Sequence, residues 1–246
     1  MSDIKDIDKN IDKDVEERFE RLLNKKHVSP IVNTSISRPD VSSAVVKRLP
    51  RYFRYLRVLI RQGKTRVSSA ELSKMMNLTA SQIRQDLNCF GGFGQQGYGY
   101  NVNYLYSKIC EILGVSSGFK AAVIGAGNLG IALVRSPMFK KRGVDVVAMF
   151  DVDPDIIGKS VAGIMVYPME ELERKLKEFG VHIAILTLPK EHAKITMERL
   201  QATKVSGVWN FTGIDLDDGT CNIVMENVHI GDSLMELCYK IAKELD

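Results

Sequence analysis

Three glycines and an aspartate, placed around one short segment, are the residues of this chain best suited to chemistry. Gly125, Gly127 and Gly130 have the spacing G-x-G-x-x-G and lie between an apolar run and an amphipathic segment over residues 129–139. A second apolar run then closes on Asp151. This order of elements predicts a strand, a tight turn, a helix and a second strand.

Glycine is needed at each of these three positions for a different physical reason. Gly125 permits the tight turn, Gly127 lets the backbone approach a pyrophosphate, and Gly130 lets the helix pack closely on the strand. The helix then begins near Asn128 and Leu129, where free N–H groups and the positive end of the helix dipole face the phosphates. The pattern therefore predicts a dinucleotide site.

Asp151 lies 26 positions after Gly125, at the end of the second strand, and Val152 follows it. A carboxylate there can accept hydrogen bonds from both hydroxyls of an adenine ribose, and it would repel a 2′-phosphate. We therefore expect NAD and NADH as the cofactors. The alternative is a Rossmann-type domain that holds another nucleotide, coenzyme A or no ligand.

Two later strands are predicted to end in residues that could meet the other half of such a ligand. Thr187 and Pro189 follow one apolar run, and Asn210 and Phe211 close another. Ligands of open α/β sheets bind at the carboxyl ends of the strands. These four residues are therefore predicted to wall the nicotinamide half, with ordinary loop positions as the alternative.

The elements that position these residues alternate between strand and helix. Beyond Asp153 the apolar patterns predict helices over 170–179 and 191–202, strands over 181–188 and 205–211, a last strand in or near 221–228, and a final helix over 233–245. This alternation predicts a doubly wound parallel α/β sheet, which we assign to residues 118–230.

Charge is distributed unevenly along the 246 residues, whose net charge is +4. Residues 41–101 carry ten Lys and Arg against two Asp and Glu, a net charge of +8. Residues 1–40 carry eight against nine, and residues 102–246 carry sixteen against nineteen. One strongly basic block beside near-neutral sequence is typical of a nucleic-acid-binding domain.

The basic block contains the pattern of a helix-turn-helix. A first helix begins at Ala44, a second at the Ser68–Ser69 cap with Glu71 completing a capping box, and a third at residue 80 after Thr79. The tight connection between the last two places the third helix in the DNA major groove. Glycines that alternate with aromatic residues over 91–101 predict a small β-hairpin, or wing.

A winged-helix DNA-binding domain is therefore expected over residues 41–117; a helical module that binds protein through a basic surface is the alternative. The side chains expected at the DNA are Arg48, Ser68, Ser69, Ser81, Gln82, Arg84, Gln85, Asn88, Gln95, Gln96 and Tyr98.

The first 40 residues form an extension that is partly helical or disordered. Apolar residues at steps of three or four over 1–26 indicate an amphipathic helix, which this protein, a second subunit or a partner would cover. Residues 27–43 resemble a linker. No apolar run approaches the roughly 20 residues that span a bilayer, so no membrane contact and a cytoplasmic location are expected. The four cysteines show no C-x-x-C spacing, which predicts buried, reduced thiols and no metal site.

A basic winged helix followed by an NAD-type Rossmann domain resembles the Rex family of redox-sensing transcriptional repressors over roughly residues 44–246. The segments that carry the resemblance are KRLPRYFRYL, VSSAELS, DLNCFGGFG, GYGYNV, GAGNLG, FDVDP, ILTLP and NFT. The resemblance implies a homodimer on an operator with two-fold symmetry, with residues 231–246 forming a dimerisation helix exchanged between subunits. It implies that NADH favours a closed dimer that releases DNA, by a population shift and without any enzymatic step.

Several positions depart from the family pattern. Gln85 stands where the family usually has Lys in the recognition helix, and Gln95 and Gln96 stand where the wing usually carries Lys and Arg. His229 stands where the family commonly has an Asp linked to its redox switch. These changes motivate an alternative: a relative with lost or altered nucleotide response that binds DNA or a partner.

An NAD-dependent dehydrogenase is the other alternative, since it would use the same cofactor. Such an enzyme needs a general acid or base beside the nicotinamide, for which His192 is the best candidate. We interpret His192 as a solvated helix residue instead.

Overall fold

A computed structural model of the chain describes residues 41–91, 94–95, 98–216 and 221–245. The chain divides into two compact units, Met1–Ser117 and Gly118–Asp246. The predicted extension over residues 1–40 and the predicted DNA contact Gln96 lie outside the described residues.

The described residues of the first unit, all within 41–117, form four helices and a small three-stranded sheet. The helices are α1 (Ser43–Arg61), α2 (Ser69–Met76), α3 (Ala80–Asn88) and α4 (Val102–Ile112). The strands are β1 (Arg66–Val67), β2 (Gly94–Gln95) and β3 (Gly99–Asn101), in the order β1-β3-β2. Strands β2 and β3 pair antiparallel, which forms the hairpin that the glycine-rich segment predicts.

Both caps predicted from the sequence start their helices. The Glu71 N–H donates to Ser68 Oγ at 3.1 Å, and the Ser68 N–H donates to Glu71 Oε2 at 2.8 Å. The Gln82 N–H donates to Thr79 Oγ1 at 3.1 Å. Helix α2 ends at Met76, and the residue that caps it, Asn77, has a left-handed conformation with φ of 50°. These local bonds fix where α2 ends and α3 begins.

The apolar face of α1 forms the centre of the first core. Residues at steps of three and four on α1 are buried against the other helices, as are Leu72, Ile83 and Leu105. The outer face of α3 stays exposed because only its inner residues reach this core.

The second unit is a seven-stranded sheet covered by helices. Its strands are β4 (Phe119–Ile124), β5 (Val144–Asp151), β6 (Ser160–Val161), β7 (Ile164–Pro168), β8 (Ile183–Leu186), β9 (Gly207–Asn210) and β10 (Val224–Asn227). Its helices are α5 (Asn128–Arg135), α6 (Leu172–Phe179), α7 (Lys190–Gln201) and α8 (Ile230–Leu245), with short 3-10 helices at Lys140–Arg142 and Met169–Glu171.

The strand order is β10-β9-β8-β4-β5-β7-β6, and all strands run parallel except β6. The direction of winding reverses between β4 and β8, which creates the crevice where ligands of such sheets bind. The predicted doubly wound fold is confirmed.

Some boundaries differ from the sequence prediction. Helix α5 ends at Arg135 and does not continue to residue 139, because Ser136 precedes Pro137 and is held in an extended conformation. The hairpin of β6 and β7 was not predicted at all. Its two turn residues, Ala162 and Gly163, both have positive φ, and alanine rarely signals such a turn.

Helix α8 presents apolar side chains to solvent along its whole length. Every residue from 230 to 245 is exposed, and Leu245 is 82% exposed. The thiols of Cys89 and Cys238 are also exposed, so the expectation of buried thiols is wrong for these two. Within the described ranges, no helix has the length and apolar character needed to cross a bilayer.

The capping box allows a prediction of how the stability of the fold depends on pH. Hydrogen bonds from Lys64, and then from Ser68, lower the pKa of Glu71 from its ordinary 4.5 to about 2. Because the folded-state pKa is the lower one, ionised Glu71 stabilises the fold above pH 4.5, and this contribution is lost as the pH falls toward 2. Glu71→Gln should therefore be less stable than the wild type at neutral pH, with a difference that shrinks over that window.

Urea unfolding of both proteins at a series of pH values measures this difference. A difference that stays constant from pH 5 to pH 2 would contradict the role of the ionised carboxylate.

Candidate nucleotide site and DNA-reading surface

Two of the three glycines after β4 are required by the packing of the protein itself. Gly125 has φ of +100°, and a Cβ there would lie 2.8 Å from backbone atoms of Thr187 and Leu188. A Cβ on Gly130 would lie 2.1 Å from the carbonyl oxygen of Gly125. Real Cβ atoms do not approach so closely, so α5 reaches β4 and β8 only because these positions lack side chains.

Gly127 differs, because nothing in the described protein requires it. It is exposed, its φ of −72° suits any residue, and no described atom lies within 4 Å of where its Cβ would be. It also precedes α5, whose first N–H groups have no acceptor within the helix and receive no side-chain cap from Gly127. Open space before a helix N-terminus fits a pyrophosphate, and a methyl group would fill it.

Asp151 holds the glycine-rich loop from the neighbouring strand. The Ala126 N–H donates to Asp151 Oδ2 at 2.5 Å, and the N–H groups of Val152 and Asp153 donate to Oδ1 at 2.7 and 3.0 Å. A carboxylate has about four acceptor positions, so capacity remains for a ribose hydroxyl. Val152 is 74% exposed and offers an apolar surface beside it.

Thr187 and Asn210 direct their polar groups into the protein. The Thr187 hydroxyl donates to the Gly125 carbonyl at 2.7 Å. The Asn210 amide, only 1% exposed, donates to the Ile214 carbonyl at 2.7 Å and to Asn227 Oδ1 at 2.8 Å. Thr187 therefore fixes the loop and Asn210 joins β9 to β10. The predicted contact of both residues with nicotinamide stays a prediction.

An aromatic wall stands at the carboxyl end of β9. The ring of Phe211 meets that of Trp209 edge-on at 4.6 Å between centroids, and Trp209 meets Phe139 at 6.2 Å. Pro189 is exposed where α7 begins. Trp209 was not among the predicted site residues, although it lies in β9 two positions before Phe211, a spacing typical of side chains on one face of an extended chain.

The histidines have different environments. His229 Nε2 lies 3.1 Å from Asp215 Oδ1, so this imidazole has a carboxylate partner just before α8. His192 is exposed on the first turn of α7.

Helix α3 carries five of the eleven residues predicted to contact DNA. Ser81, Arg84, Gln85 and Asn88 are exposed, and Gln82 is half-buried. Arg84 Nη1 donates to Ser69 Oγ at 3.2 Å, which ties the guanidinium to the start of α2.

The wing carries a further pair of exposed groups. Tyr98 is 70% exposed beside β3. The Arg66 guanidinium lies 5.8 Å from the centroid of the Tyr98 ring, and its Nη1 donates to the Tyr98 carbonyl at 3.0 Å. The backbone of Gln95 lies in β2.

Arg48 is placed differently from the other predicted DNA contacts. Its Nε and Nη2 donate to the two carboxylate oxygens of Asp86 at 2.7 Å each, and Asp86 belongs to the inner face of α3. The hydrogen bond to Asp86 raises the pKa of Arg48. The other acidic residue of the basic block, Glu71, pairs with Lys64. Both negative charges of residues 41–101 are thus neutralised internally.

The two units define a class of protein: a basic winged-helix module joined in one chain to a dinucleotide-type Rossmann module. The chain is 44% identical over 207 residues to the redox-sensing transcriptional repressor Rex of Thermoanaerobacter sp., a match over 83% of this chain and 91% of the relative. It is 45% identical over 206 residues to that of Caldicellulosiruptor saccharolyticus, over 84% and 94%. The chain belongs to the Rex family of redox-sensing transcriptional repressors.

Family models and solved structures agree with this assignment. Residues 40–88 match the model described as "Putative DNA-binding protein N-terminus", and residues 117–214 match the "CoA binding domain". The structure of RSP in complex with β-NAD+ and operator DNA matches with a TM-score of 0.78 and 44% identity over 83% of this chain and 94% of that one. RSP in complex with β-NADH matches with a TM-score of 0.77 and 41% identity over 83% and 96%.

The glycine geometry makes a prediction that separates binding from stability. Gly127→Ala should change the free energy of unfolding by less than about 0.5 kcal/mol, since its methyl group meets open space, yet weaken NADH binding at least about tenfold. Gly130→Ala, the matched control, should destabilise the unit by about 1–3 kcal/mol because its methyl group meets the Gly125 carbonyl. Calorimetric titration and thermal unfolding measure the two effects. Unchanged NADH affinity in Gly127→Ala would show that the pyrophosphate does not lie there.

Proposed function

We propose that this chain is a DNA-binding transcriptional repressor that senses the ratio of NADH to NAD+ and releases its operator when NADH binds. The observation that carries the proposal is the open cradle at Gly127 in the same chain as a basic winged-helix unit whose helix α3 has an exposed outer face. The relative RSP has been solved with β-NAD+ and operator DNA and with β-NADH, which favours NAD over coenzyme A as the ligand.

Each part of the dinucleotide has a group of residues to hold it. The loop receives the pyrophosphate, the end of β5 receives the adenine ribose, and the ends of β8 and β9 face the nicotinamide. The residues are Gly125, Gly127, Asn128, Leu129, Gly130, Asp151, Val152, Thr187, Pro189, Asn210 and Phe211. The cofactor would supply only its nicotinamide ring, which is cationic when oxidised and neutral when reduced. An apolar wall of Pro189 and Phe211 favours the neutral reduced ring, because burying the cationic ring costs more.

Helix α3 is the element that enters the major groove, and the wing follows the backbone. Ser81, Gln82, Arg84, Gln85 and Asn88 face the base edges. Ser68, Ser69, Gln95, Gln96 and Tyr98 meet the flanking sugar–phosphate backbone. The neutral Gln85, Gln95 and Gln96 lower the number of phosphate contacts, so the salt dependence of binding is shallow for this family.

The apolar, exposed α8 supports a homodimer, because the unit that carries it leaves this face uncovered. Residues 231–246 would then form the dimerisation helix, after an extension over 1–40, a winged helix over 41–117 and a Rossmann domain over 118–230. Two winged helices on one dimer match a double-stranded operator with two-fold symmetry. NADH shifts the dimer toward a closed form only to the extent that it binds the closed form more tightly than the open form.

In this proposal the protein is a cytoplasmic regulator and no bond is made or broken. An NAD-dependent dehydrogenase is disfavoured, since His192 is exposed on α7. A second candidate function is a Rex-like protein with an altered nucleotide response. It is favoured by the pairing of His229 with Asp215, since an imidazole replaces a permanent anion at that position.

The redox response can be tested directly. NADH should weaken operator binding at least about tenfold, and NAD+ should change it less than about twofold, because only differential affinity moves the equilibrium. Fluorescence anisotropy with a palindromic operator, at fixed salt and with each nucleotide in turn, measures both values. Equal effects of the two nucleotides would refute redox sensing and favour the altered response.

Arg84 provides a test of the docking of α3. Arg84→Ala should weaken operator binding by about 1–3 kcal/mol and relax base preference at one position, because arginine is suited to a bidentate contact with guanine. Arg84→Lys keeps the charge but not the bidentate geometry, and should also lose the preference. Selection of bound sequences from a randomised half-site library measures the base preference of the wild type and of both variants. A base preference retained in both variants would rule out Arg84 as a base-reading residue.

A further inference from the structure

The inner face of α3 holds a carboxylate where apolar residues are expected. Ile83, Asp86 and Leu87 are the buried residues of this helix, and Asp86 is only 2% exposed. Burying a charged carboxylate is unfavourable unless charged or polar groups satisfy it. The exposed face of α3 does not explain why the Asp86 carboxylate is buried, so the explanation must come from the groups that contact it.

Two residues one turn apart on α1 satisfy this carboxylate. Arg48 Nε and Nη2 donate to Asp86 Oδ2 and Oδ1, both at 2.7 Å. The Tyr52 hydroxyl, fully buried, donates to Oδ2 at 2.9 Å. Burial and then the hydrogen bond to Asp86 raise the pKa of Tyr52, so the hydroxyl remains a donor. Three donors from one helix thus meet a single side chain of the other.

A second arginine of α1 holds the end of α2, just before the turn that leads into α3. Arg51 donates through Nη2 to the Met76 carbonyl, at the last residue of α2. Helix α1 therefore binds both helices of the helix-turn-helix by directional bonds, one to the end of α2 and three to Asp86 in the second half of α3.

These hydrogen bonds can fix the rotation of α3 about its axis, which apolar contacts cannot do. Apolar burial is non-directional, so Ile83 and Leu87 tolerate a small rotation of α3 about its axis. With side chains the helix has a radius of about 5–6 Å, so a rotation of about 20° moves the side-chain ends by about 2 Å. That displacement takes a bidentate contact with a base out of hydrogen-bond range. A bidentate ion pair resists such a rotation because both of its bonds have fixed directions.

We propose that Asp86, Arg48 and Tyr52 form a positioning network that fixes the rotation of the recognition helix and thereby determines base selectivity. The inference rests on the proposed DNA-binding function. It makes Arg48 a positioning residue, which acts through Asp86 and not through a phosphate.

Two substitutions distinguish this role from a phosphate contact. Arg48→Met should lower the ratio of operator to scrambled-duplex affinity at least about tenfold, while the slope of log affinity against log salt stays unchanged; losing a phosphate contact would reduce that slope by about 0.9. Asp86→Asn removes a negative charge, so electrostatics alone would strengthen all DNA binding. The network predicts the opposite sign for the operator, a loss of at least about tenfold, with scrambled-duplex binding unchanged or stronger.

The chain offers a matched control for the loss of an ion pair. Arg199 makes a bidentate pair with Glu173 in the second unit, at 2.6 and 2.8 Å. Arg199→Met should leave the ratio of operator to scrambled-duplex affinity unchanged even if it lowers the unfolding temperature. The double variant Arg48→Met/Asp86→Leu replaces the pair by apolar residues, which often preserves stability. It should fold and still lack base selectivity.

Three results would overturn the inference while leaving the proposed function intact. They are a salt slope reduced by about one in Arg48→Met, operator affinity that is unchanged or higher in Asp86→Asn, and full selectivity in the folded double variant. A wild-type protein that does not distinguish the operator from scrambled duplex would instead refute the proposed function, and the inference with it.

Discussion

The close approach of three backbone segments at the end of β4 is the constraint on which the nucleotide site depends. Gly130 passes so near the Gly125 carbonyl that no side chain fits between them, and the Thr187 hydroxyl closes the same point from β8. Asp151 holds the loop from β5. Three strands thus shape one turn, and this leaves Gly127 and the N-terminus of α5 facing open space. The site is formed by the backbone, and the side chains of Thr187 and Asp151 hold that backbone in place.

The two candidate binding surfaces share one feature, a carboxylate that holds the binding element from behind. Behind each lies a carboxylate that holds a binding element: Asp151 accepts backbone N–H groups of the loop, and Asp86 accepts the donors of α1. A buried or half-buried anion with several donors is strongly oriented, because each charged hydrogen bond has a preferred direction.

Membership of the Rex family fits this arrangement, and the departures from the family pattern concern the response more than the architecture. The fold, the glycine loop and the recognition helix are all in place. His229 differs, since its partner Asp215 comes from the loop after β9 and joins the start of α8 to the sheet. This pair therefore ties the exposed apolar helix to the nucleotide unit.

The sequence by itself determined the local structure: the capping box at Ser68, the Thr79 cap, the glycine motif and the alternation of strand and helix. These depend on residues a few positions apart, so their spacing is visible in the chain. Only the tertiary structure decided that Arg48 reaches Asp86, 38 positions away, and that Thr187 closes on Gly125, 62 positions away. Spacing along the chain gives no distance for such pairs, because packing of whole elements brings them together. An exposed arginine and a half-buried, paired one have the same letter, and only their tertiary contacts assign them different roles.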